Sequence, residues 1–512
     1  MGEPRGKVYL VGAGPGDPKL ITVRGLEAIR RADVIVYDRL SSPRLLKEAK
    51  PSAELIYVGK KQSKHTLKQE QINQLLVDLA LAGKQVARLK GGDPMLFGRG
   101  GEEAELLGYH GIDYDIIPGV TSALSVPAYA GIPVTHRDYA SSLAIVTGHE
   151  NPDKLEMNIQ WDMITPSTDT LIFLMGVTKI AYIRDQLIAN GKSPDTPVAL
   201  IRWGTRINQK TLIGTLADIA EQVQELNFKP PAVIVVGEVV RLREKLNWYE
   251  SKPLFGRRVL VTRARSQASE LSNRIDELGG EAYEFPVIEL REPSSPEVLS
   301  RLDDALRQLE DYHWVVFTSV NGVDYFFQRL AAQRIDIRRL AAAKVAAVGP
   351  VTAAALLARG IVAEILPDSF YQAEGLLESI EDELIAGQRV LLARGDLARA
   401  YLAVELGRRG LHVIDVDVYE NHATDEHTDE LIQLLKRNEV HIVTFTSSST
   451  VNNLCDRIEA VTGQSAAELL TDSMIACIGP KTAETARNRG LEVHRMAAEA
   501  TIPSLIEAII AE

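Results

Sequence analysis

The chain has 512 residues, of which 45% are hydrophobic and 25% charged, and its formal net charge is −12. This length is too great for one hydrophobic core, so two to four domains are expected. The acidic balance disfavours nucleic acid as a partner, and the lack of an apolar run of roughly 20 residues predicts no membrane span. Cys455 and Cys477 provide neither a disulfide framework nor a metal-ligand cluster, which favours a reducing, cytoplasmic setting and no metal.

The first predicted element is a strand that runs into a glycine turn, KVYLVGAGPGD, residues 7–17. Gly12, Gly14 and Gly16 allow the backbone to adopt positive φ and to approach a ligand closely. A dinucleotide-binding fingerprint would place its third glycine at position 17 and aim backbone N–H groups at a pyrophosphate. Position 17 is an aspartate and Pro15 has no N–H group, so the turn favours a ligand without phosphates.

Two further glycine loops follow predicted strands in this part of the chain. One is RLKGGDPMLFGRGGEE, residues 88–103, and the other is IIPGVTSA, residues 116–123. Strand-like runs alternate with helical patterns throughout, which predicts the α/β class. The stretch 241–256, RLREKLNWYESKPLFG, is charged and contains a proline and a glycine, so a domain boundary is expected near residue 250.

The chain beyond this boundary contains an internal repeat. Arg258 begins RVLVTRA, and Arg389 begins the similar segment RVLLARG. Phe317 and Phe445 occupy similar strands, and Gly349 and Gly479 begin similar GP-x-T segments. The two members of each pair are separated by nearly the same length of chain. This constant offset predicts two similar α/β lobes that line a shared cleft.

Residues 7–245 resemble the uroporphyrinogen-III C-methyltransferases of the tetrapyrrole methylase family. The matching blocks include VYLVGAGPGDPKLIT, ADVIVYDRLSSP, YVGKK, RLKGGDPMLFGRGGEE, PGVTSA, AGIPVTHRDYA, FLMGV and ALIRWGT. The resemblance implies a two-lobed fold over residues 1–248, with sub-lobes at about 1–137 and 138–248. It also implies S-adenosyl-L-methionine as cofactor, S-adenosyl-L-homocysteine as product and a homodimer formed through this half.

The resemblance assigns functions to residues of the matched loops. It implies that Asp38 is the proton acceptor and Lys60 the donor, whereas local patterns alone favour a turn cap for Asp38 and a solvated lysine run for Lys60. Met175 lines the cofactor by resemblance, although its setting in LIFLMGV alone would indicate core packing. The complete implied cofactor set is Gly12, Gly14, Pro15, Gly16, Gly91, Gly92, Asp93, Leu96, Thr121, Ser122, Met175 and Gly204.

A macrocyclic substrate with acetate and propionate arms needs cations. Arginine binds carboxylates bidentately, so arginines in or beside the matched loops are candidate substrate ligands. They are Arg39, Arg99, Arg137, Arg202 and Arg206.

Residues 254–512 resemble uroporphyrinogen-III synthases. The matching pieces are short: VLVTRA, VVFTSVNGV, AVGPVTAAALLARG, LLARGD, VYE, VTFTSSSTV and IGPKTAETARNRG. The resemblance implies one lobe of about 254–292 plus 416–512, a second lobe of about 293–415, and ribbon strands at 283–290 and 413–420. It places at Tyr419 a tyrosine that can protonate a leaving hydroxyl, although packing against a neighbour explains an aromatic residue there equally well. Residues of both lobes are expected to bind substrate carboxylates. They are the predicted loop residues Thr318, Ser319, Asn321, Thr446, Ser447 and Thr482, and also Arg263 and Arg394, which occupy equivalent places in the two repeats.

Together these features predict a bifunctional enzyme of tetrapyrrole biosynthesis. The second half would close hydroxymethylbilane to uroporphyrinogen III, and the first half would methylate carbons 2 and 7 to give precorrin-2, a precursor of sirohaem or cobalamin. The alternatives are a methyltransferase that acts on a later corrin intermediate and a tetrapyrrole-binding regulator.

Overall fold

The computed structural model describes residues 6–59, 67–148, 159–263, 265–368, 372–423 and 428–511. The chain divides into two compact units, one of residues 1–258 with 275–281 and one of residues 259–274 with 282–512. Each unit contains two five-stranded sheets, which confirms the predicted α/β class. Within these described ranges, no helix is both long and apolar enough to cross a membrane.

The first sheet of the first unit is entirely parallel, with strand order β3-β2-β4-β1-β5. Because parallel strands have their carboxyl ends at one edge, the segments after β1, β2 and β4 all lie there. The strands are β1 Lys7–Gly12, β2 Val34–Tyr37, β3 Glu54–Tyr57, β4 Gln85–Lys90 and β5 Asp113–Ile117, and the helices are α1 Val23–Arg31, α2 Pro43–Leu46, α3 Gln69–Leu81, α4 Gly100–Tyr109 and α5 Ser122–Tyr129.

The second sheet of this unit is mixed, with order β6-β7-β10-β8-β9. β6 is parallel to β7, whereas β10 is antiparallel to both of its neighbours and β8 is antiparallel to β9. The strands are β6 Leu143–Thr147, β7 Thr170–Leu174, β8 Pro197–Arg202, β9 Lys210–Thr215 and β10 Ala232–Val236, and the helices are α6 Trp161–Ser167, α7 Ile180–Ala189, α8 Ile219–Glu225 and α9 Arg243–Leu246.

The sheets of the second unit have orders β12-β11-β18-β19-β20 and β13-β17-β16-β14-β15. The strands are β11 Arg258–Val261, β12 Glu281–Glu284, β13 Ile288–Arg291, β14 Trp314–Phe317, β15 Lys344–Ala347, β16 Arg389–Gly395, β17 His412–Ala423, β18 Ile442–Phe445, β19 Met474–Cys477 and β20 Val493–Met496. The helices are α10 Arg265–Glu277, α11 Pro296–Arg307, α12 Val320–Ala332, α13 Pro350–Leu357, α14 Ala373–Ile380, α15 Tyr401–Arg408, α16 Thr428–Lys436, α17 Ser448–Thr462, α18 Ala466–Leu469, α19 Pro480–Asn488 and α20 Ile502–Ile510.

These two sheets confirm the internal repeat. β11, β18 and β19 are adjacent in one sheet, and their counterparts β16, β14 and β15 are adjacent in the same order in the other. Phe317 and Phe445, which correspond in the repeat, are both fully buried beneath the helices of their own lobe. β13 pairs antiparallel with the end of β17, from Ile288 with Ala423 to Arg291 with Glu420, whereas residues 412–419 of β17 pair with β16 in the second sheet.

Candidate active sites

The three glycine loops of the first unit contact one another through their backbones. Gly14 and Gly92 form a pair of hydrogen bonds, 3.2 Å from the Gly14 N–H to the Gly92 carbonyl and 2.7 Å in the reverse direction. Both residues have positive φ, 75° and 72°. A Cβ on Gly12 would lie 2.4 Å from the Gly119 nitrogen, so the first and third loops approach too closely for any side chain there.

Asp93 joins the second loop to the third. Its Oδ1 accepts the N–H groups of Met95 at 2.8 Å and Leu96 at 3.1 Å, while Oδ2 accepts the Gly119 N–H at 3.0 Å. These bonds fix loop 91–99 against the start of α5, where the Thr121 side chain caps the helix and Ser122 is the first helical residue. Asp93 therefore supports the loops, and its carboxylate is largely occupied by backbone donors.

A fourth segment, residues 203–206, closes the other side of the first loop. The Thr205 hydroxyl accepts the Asp17 N–H at 3.0 Å, and the Tyr129 hydroxyl donates to Asp17 Oδ2 at 2.9 Å. A Cβ on Gly16 would lie 2.6 Å from Arg206 Nε, and one on Gly204 would lie 2.4 Å from the Val126 side chain. The predicted glycine positions Gly16 and Gly204 are thus both places of tight packing.

Backbone strain is concentrated in these loops. Five non-glycine residues in these loops or just after β7 have positive φ, which is uncommon for residues with a Cβ and often marks functional sites: Phe97, Arg99, Met175, Trp203 and Thr205. Met175 follows β7 and its side chain is 47% exposed, so the core-packing interpretation of this residue is wrong. Leu96 is half-buried against the apolar cluster above β7 and β8, and Pro15 is partly exposed.

Asp38 lies directly after β2, at the carboxyl edge of the parallel sheet. Its Oδ1 accepts the Leu40 N–H at 3.0 Å, which is the turn-capping contact that its local pattern predicts. Its Oδ2 lies 3.5 Å from a guanidinium nitrogen of Arg88, and about a quarter of the side chain remains exposed. The capping bond therefore leaves Asp38 able to accept a further proton or hydrogen bond. Lys60, the implied donor, lies outside the described residues.

A buried ionic cluster, which the sequence analysis did not predict, lies next to Asp38. Arg88 and Lys90 point from β4 to Glu103 of α4, whose Oε1 lies 2.6 Å from Lys90 Nζ and 3.3 Å from Arg88 Nε. The pKa of Lys90 is lowered, chiefly because burial disfavours its charged form and next because Arg88 is near. The sequence did contain a sign of this cluster. Two cations alternate with apolar residues along the strand VARLK, which ends at a glycine loop.

The arginines predicted to bind substrate differ in how many contacts they already make within the protein. Arg39 and Arg206 place their guanidinium carbons 5.4 Å and 5.1 Å from the centre of the same indole ring, that of Trp203. Arg206 also donates to the Leu40 carbonyl at 2.7 Å, and burial lowers its pKa. Arg99 already forms a bidentate pair with Glu102, at 2.9 Å and 2.6 Å. Arg137 is exposed, and Arg202 has a buried Nε without a hydrogen-bond partner among the described residues.

In the second unit, Tyr419 stands at the carboxyl edge of the sheet formed by β16 and β14. A Cβ on Gly395 would lie 2.5 Å from the Tyr419 ring, so the glycine makes room for it. The ring is 5.6 Å from that of Tyr325, and its hydroxyl is 3.4 Å from the Ser319 Oγ. Tyr419 makes this packing contact and is also partly exposed as a residue, which leaves both interpretations of Tyr419 open.

The hydroxyl residues of the two lobes occupy corresponding places. Ser319 and Ser447 cap α12 and α17, where their Oγ atoms accept N–H groups at 3.0 Å and 3.3 Å. Thr318 and Thr446 precede them and are half-buried. Asn321 and Thr482 lie within the first turns of α12 and α19, so the prediction that they sit on loops is wrong.

Thr482 is only 5% exposed, and its counterpart in the repeat, Thr352, is 6% exposed at the third position of α13. This shared burial indicates a packing role.

Arg394, within β16, forms a bidentate pair with Asp415 and donates to the Ala398 carbonyl. Arg263 follows β11, and burial lowers its pKa. Their roles as carboxylate ligands remain predictions, and Arg394 would have to leave Asp415 to perform one. In the described part of the chain, no cluster of His, Cys, Asp and Glu could hold a metal ion.

Comparison with known proteins identifies both halves. The family model of tetrapyrrole (corrin/porphyrin) methylases matches residues 7–220, and that of uroporphyrinogen-III synthase matches residues 269–507. The glycine-loop unit is therefore a methylase by class and the repeated unit a synthase. The chain belongs to the tetrapyrrole methylase and uroporphyrinogen-III synthase families, fused in that order, as its sequence resemblance predicts.

Curated relatives agree with this arrangement. The chain is 38% identical over 506 residues to a porphyrin biosynthesis protein HemD of Ruminiclostridium josui, covering 99% of this chain and 98% of that protein. It is 46% identical over 365 residues to a uroporphyrinogen-III C-methyltransferase of Bacillus subtilis, covering 71% of this chain and 74% of that protein.

A crystal structure of uroporphyrin-III C-methyl transferase from Thermus thermophilus, complexed with S-adenyl homocysteine, is 39% identical. The match covers 46% of this chain and all of that one, with a TM-score of 0.41. A mutant uroporphyrinogen III synthase from the same organism is 21% identical, covers 49% of this chain and 97% of that one, and has a TM-score of 0.37.

Proposed function

We propose that the protein makes precorrin-2 from hydroxymethylbilane in two steps. The second half closes the bilane to uroporphyrinogen III, and the first half methylates carbons 2 and 7 of that product with S-adenosyl-L-methionine. One observation carries the proposal. Three glycine loops that are hydrogen-bonded to one another lie at the same edge of a parallel sheet as Asp38. The relative from Bacillus subtilis that is 46% identical over 365 residues is named a uroporphyrinogen-III C-methyltransferase.

The loops fit a cofactor that has no phosphate. Gly14 and Gly92 hold the backbone at positive φ, Pro15 offers no N–H group, and the Met175 side chain is exposed at the end of β7. We expect the cofactor to lie against Pro15, Gly91, Gly92, Thr121, Met175 and their predicted neighbours. When bound, S-adenosyl-L-methionine supplies an electrophilic methyl group to a pyrrole carbon.

The protein contributes orientation and a base to this step. Holding the two reactants in line can supply roughly 7–11 kcal/mol of the barrier. Asp38 is the base: its carboxylate accepts the proton that the methylated ring must release. Its two structural contacts, with Leu40 and Arg88, hold the carboxylate in place, and the exposed part of the side chain faces solvent.

The arginines on Trp203 suit a polyanionic substrate. Neither Arg39 nor Arg206 has a carboxylate within ion-pair distance among the described residues, whereas Arg99 has Glu102. A guanidinium stacked on an indole keeps its N–H edge available for carboxylates. We therefore expect Arg39 and Arg206 to bind substrate arms more strongly than Arg99 does.

In the second half, Tyr419 is the proposed acid. Its hydroxyl gives a proton to the leaving hydroxyl of the bilane, water departs, and an azafulvene remains that closes through a spiro intermediate with inversion of the last ring. The N–H groups at the starts of α12 and α17, beside Ser319 and Ser447, are suited to the carboxylates of the substrate. The enzyme is required because unassisted closure gives the uninverted isomer.

Transfer of labelled methyl groups tests the first half. With S-adenosyl-L-methionine and uroporphyrinogen III, the protein should give a product with two added methyl groups. Methylation of a later corrin intermediate, with none of uroporphyrinogen III, would favour the alternative methyltransferase, and binding without transfer to either would favour a regulator.

The remaining expectations are proposals from family membership. We propose that residues 1–248 form the methyltransferase and 254–512 the synthase, with the sub-lobe limits given by the sequence. We also propose that the first half forms a homodimer and that the protein acts in the cytoplasm. Sedimentation at micromolar concentration should give twice the 56.3 kDa chain mass, and a monomer would contradict the dimer.

A further inference from the structure

A closed charge network lies behind Asp38 in the first unit. Arg88 and Lys90 are each 4% exposed and Glu103 is fully buried. Glu103 Oε1 accepts from Lys90 Nζ at 2.6 Å, from Gln69 Nε2 at 3.1 Å and from Arg88 Nε at 3.3 Å. Its Oε2 has no hydrogen-bond partner among the described residues. One carboxylate oxygen therefore organises both cations of β4.

Arg88 connects this network to Asp38. One of its terminal nitrogens donates to the Leu89 carbonyl at 2.9 Å, and the other lies 3.5 Å from Asp38 Oδ2. Because the Leu40 N–H holds the other oxygen of Asp38 at 3.0 Å, both oxygens have fixed neighbours. The carboxylate cannot rotate freely while Arg88 stays where Glu103 and the Leu89 carbonyl hold it.

Stability alone gives little reason for this arrangement. Taking charges out of water is costly, and well-packed apolar residues often stabilise a core as well as a buried ion pair does. Burial, followed by repulsion from Arg88, lowers the pKa of Lys90 despite the attraction of Glu103 and Asp38. The network ends at Asp38, which lies at the carboxyl edge of the sheet and has the one carboxylate in the network that is partly exposed.

We propose that Arg88 is a positioning residue for methylation, held by Glu103, and that it orients the Asp38 carboxylate toward the substrate proton. The inference rests on the proposed function, because it requires Asp38 to be the base. Glu103 acts through Arg88 and touches neither substrate nor cofactor.

A pair of variants separates positioning from folding. Arg88→Met leaves the buried carboxylate of Glu103 and the partly exposed one of Asp38 with Lys90 as the one remaining cation of the network, so the thermal midpoint should fall. Arg88→Met combined with Glu103→Gln removes one charge of each sign and should recover much of that loss. If Arg88 positions Asp38, kcat for methyl transfer should remain about 100-fold low in both variants, since misplacement of a reacting group by about 1 Å costs that much. Arg88→Lys, which keeps the charge, should recover part of kcat.

Cofactor affinity and a control variant separate a positioning role of Arg88 from a general loss of structure. Calorimetric affinity for S-adenosyl-L-methionine should be unchanged in the double variant. Arg457→Met is a matched control, because Arg457 is buried in the second unit against Phe285 and should affect the thermal midpoint without affecting methylation. Recovery of kcat together with stability in the double variant would overturn the proposal. A wild-type protein that transfers no methyl group to uroporphyrinogen III would instead contradict the proposed function.

Discussion

At the scale of single residues, Asp38 combines a structural contact with a chemical one. The Leu40 N–H needs only an oxygen acceptor, which an asparagine also provides, whereas proton transfer needs the carboxylate. Asp38→Asn should therefore lower kcat for methylation by about 10²–10⁴-fold while cofactor affinity stays within a factor of two or so. Methyl-transfer kinetics and calorimetry measure the two effects. Normal kcat would remove Asp38 from the mechanism.

The absence of a side chain at Gly395 makes room for the Tyr419 ring. Gly395→Ala adds a methyl group where the Tyr419 ring now lies, so the ring must shift although its chemistry is unchanged. We expect slower ring closure and a larger share of the uninverted isomer, as for Tyr419→Phe. The matched control is Gly407→Ala in α15, where an added Cβ has nothing within 4 Å. Wild-type isomer ratios in both Gly395→Ala and Tyr419→Phe would return Tyr419 to a packing role.

The two thiols give a third residue-scale prediction. Burial raises the pKa of both Cys455 and Cys477 to about 11, with smaller opposing effects from Arg489 and Arg487. At pH 8 only about one thiol in a thousand would be the reactive thiolate, even before steric protection is counted. Iodoacetamide should therefore leave the native protein unmodified and label two cysteines in denaturant. Rapid labelling of the native protein would show that the core of the second unit is open.

At the scale of elements, the loops depend on backbone that only glycine tolerates. Gly14 has φ 75°, and a Cβ there would lie 3.2 Å from the Leu20 carbonyl oxygen. Gly14→Val should abolish cofactor binding by calorimetry, because a β-branched residue disfavours this conformation and would crowd Leu20, which shifts the loop. Ring closure by the second half should survive.

The control for this loop prediction is Gly101→Val in α4. Gly101 is helical, and an added Cβ there meets nothing within 4 Å, so the same substitution should cost only helix propensity. Cofactor affinity that Gly14→Val leaves unchanged would mean that the loop does not hold the cofactor.

The elements also show what the sequence can and cannot predict. The alternation of strand-like and helical runs predicted the α/β class, and the nearly constant offset between the repeated segments predicted two similar lobes. The cluster of Arg88, Lys90 and Glu103 escaped prediction because its members meet only when α4 packs on β4. Thr482 was misplaced because a GP-x-T segment looks like a loop, whereas Pro480 begins a helix that buries the threonine.

At the scale of the whole molecule, the two units carry different chemistry on one chain. The methylase loops lie within residues 12–206, and Tyr419 lies in the second unit. If each unit holds a complete site, a defect in one should leave the other reaction unchanged, and the two reactions should follow a fixed order.

One incubation with hydroxymethylbilane and S-adenosyl-L-methionine, analysed by chromatography of the oxidised porphyrin isomers, shows whether the chain holds two independent active sites. The wild-type protein should yield precorrin-2, and Asp38→Asn should accumulate uroporphyrinogen III. Tyr419→Phe should slow closure and release the uninverted isomer, yet methylate supplied uroporphyrinogen III at the normal rate. If Tyr419→Phe impaired that methylation as severely as Asp38→Asn does, the two halves could not be independent active sites.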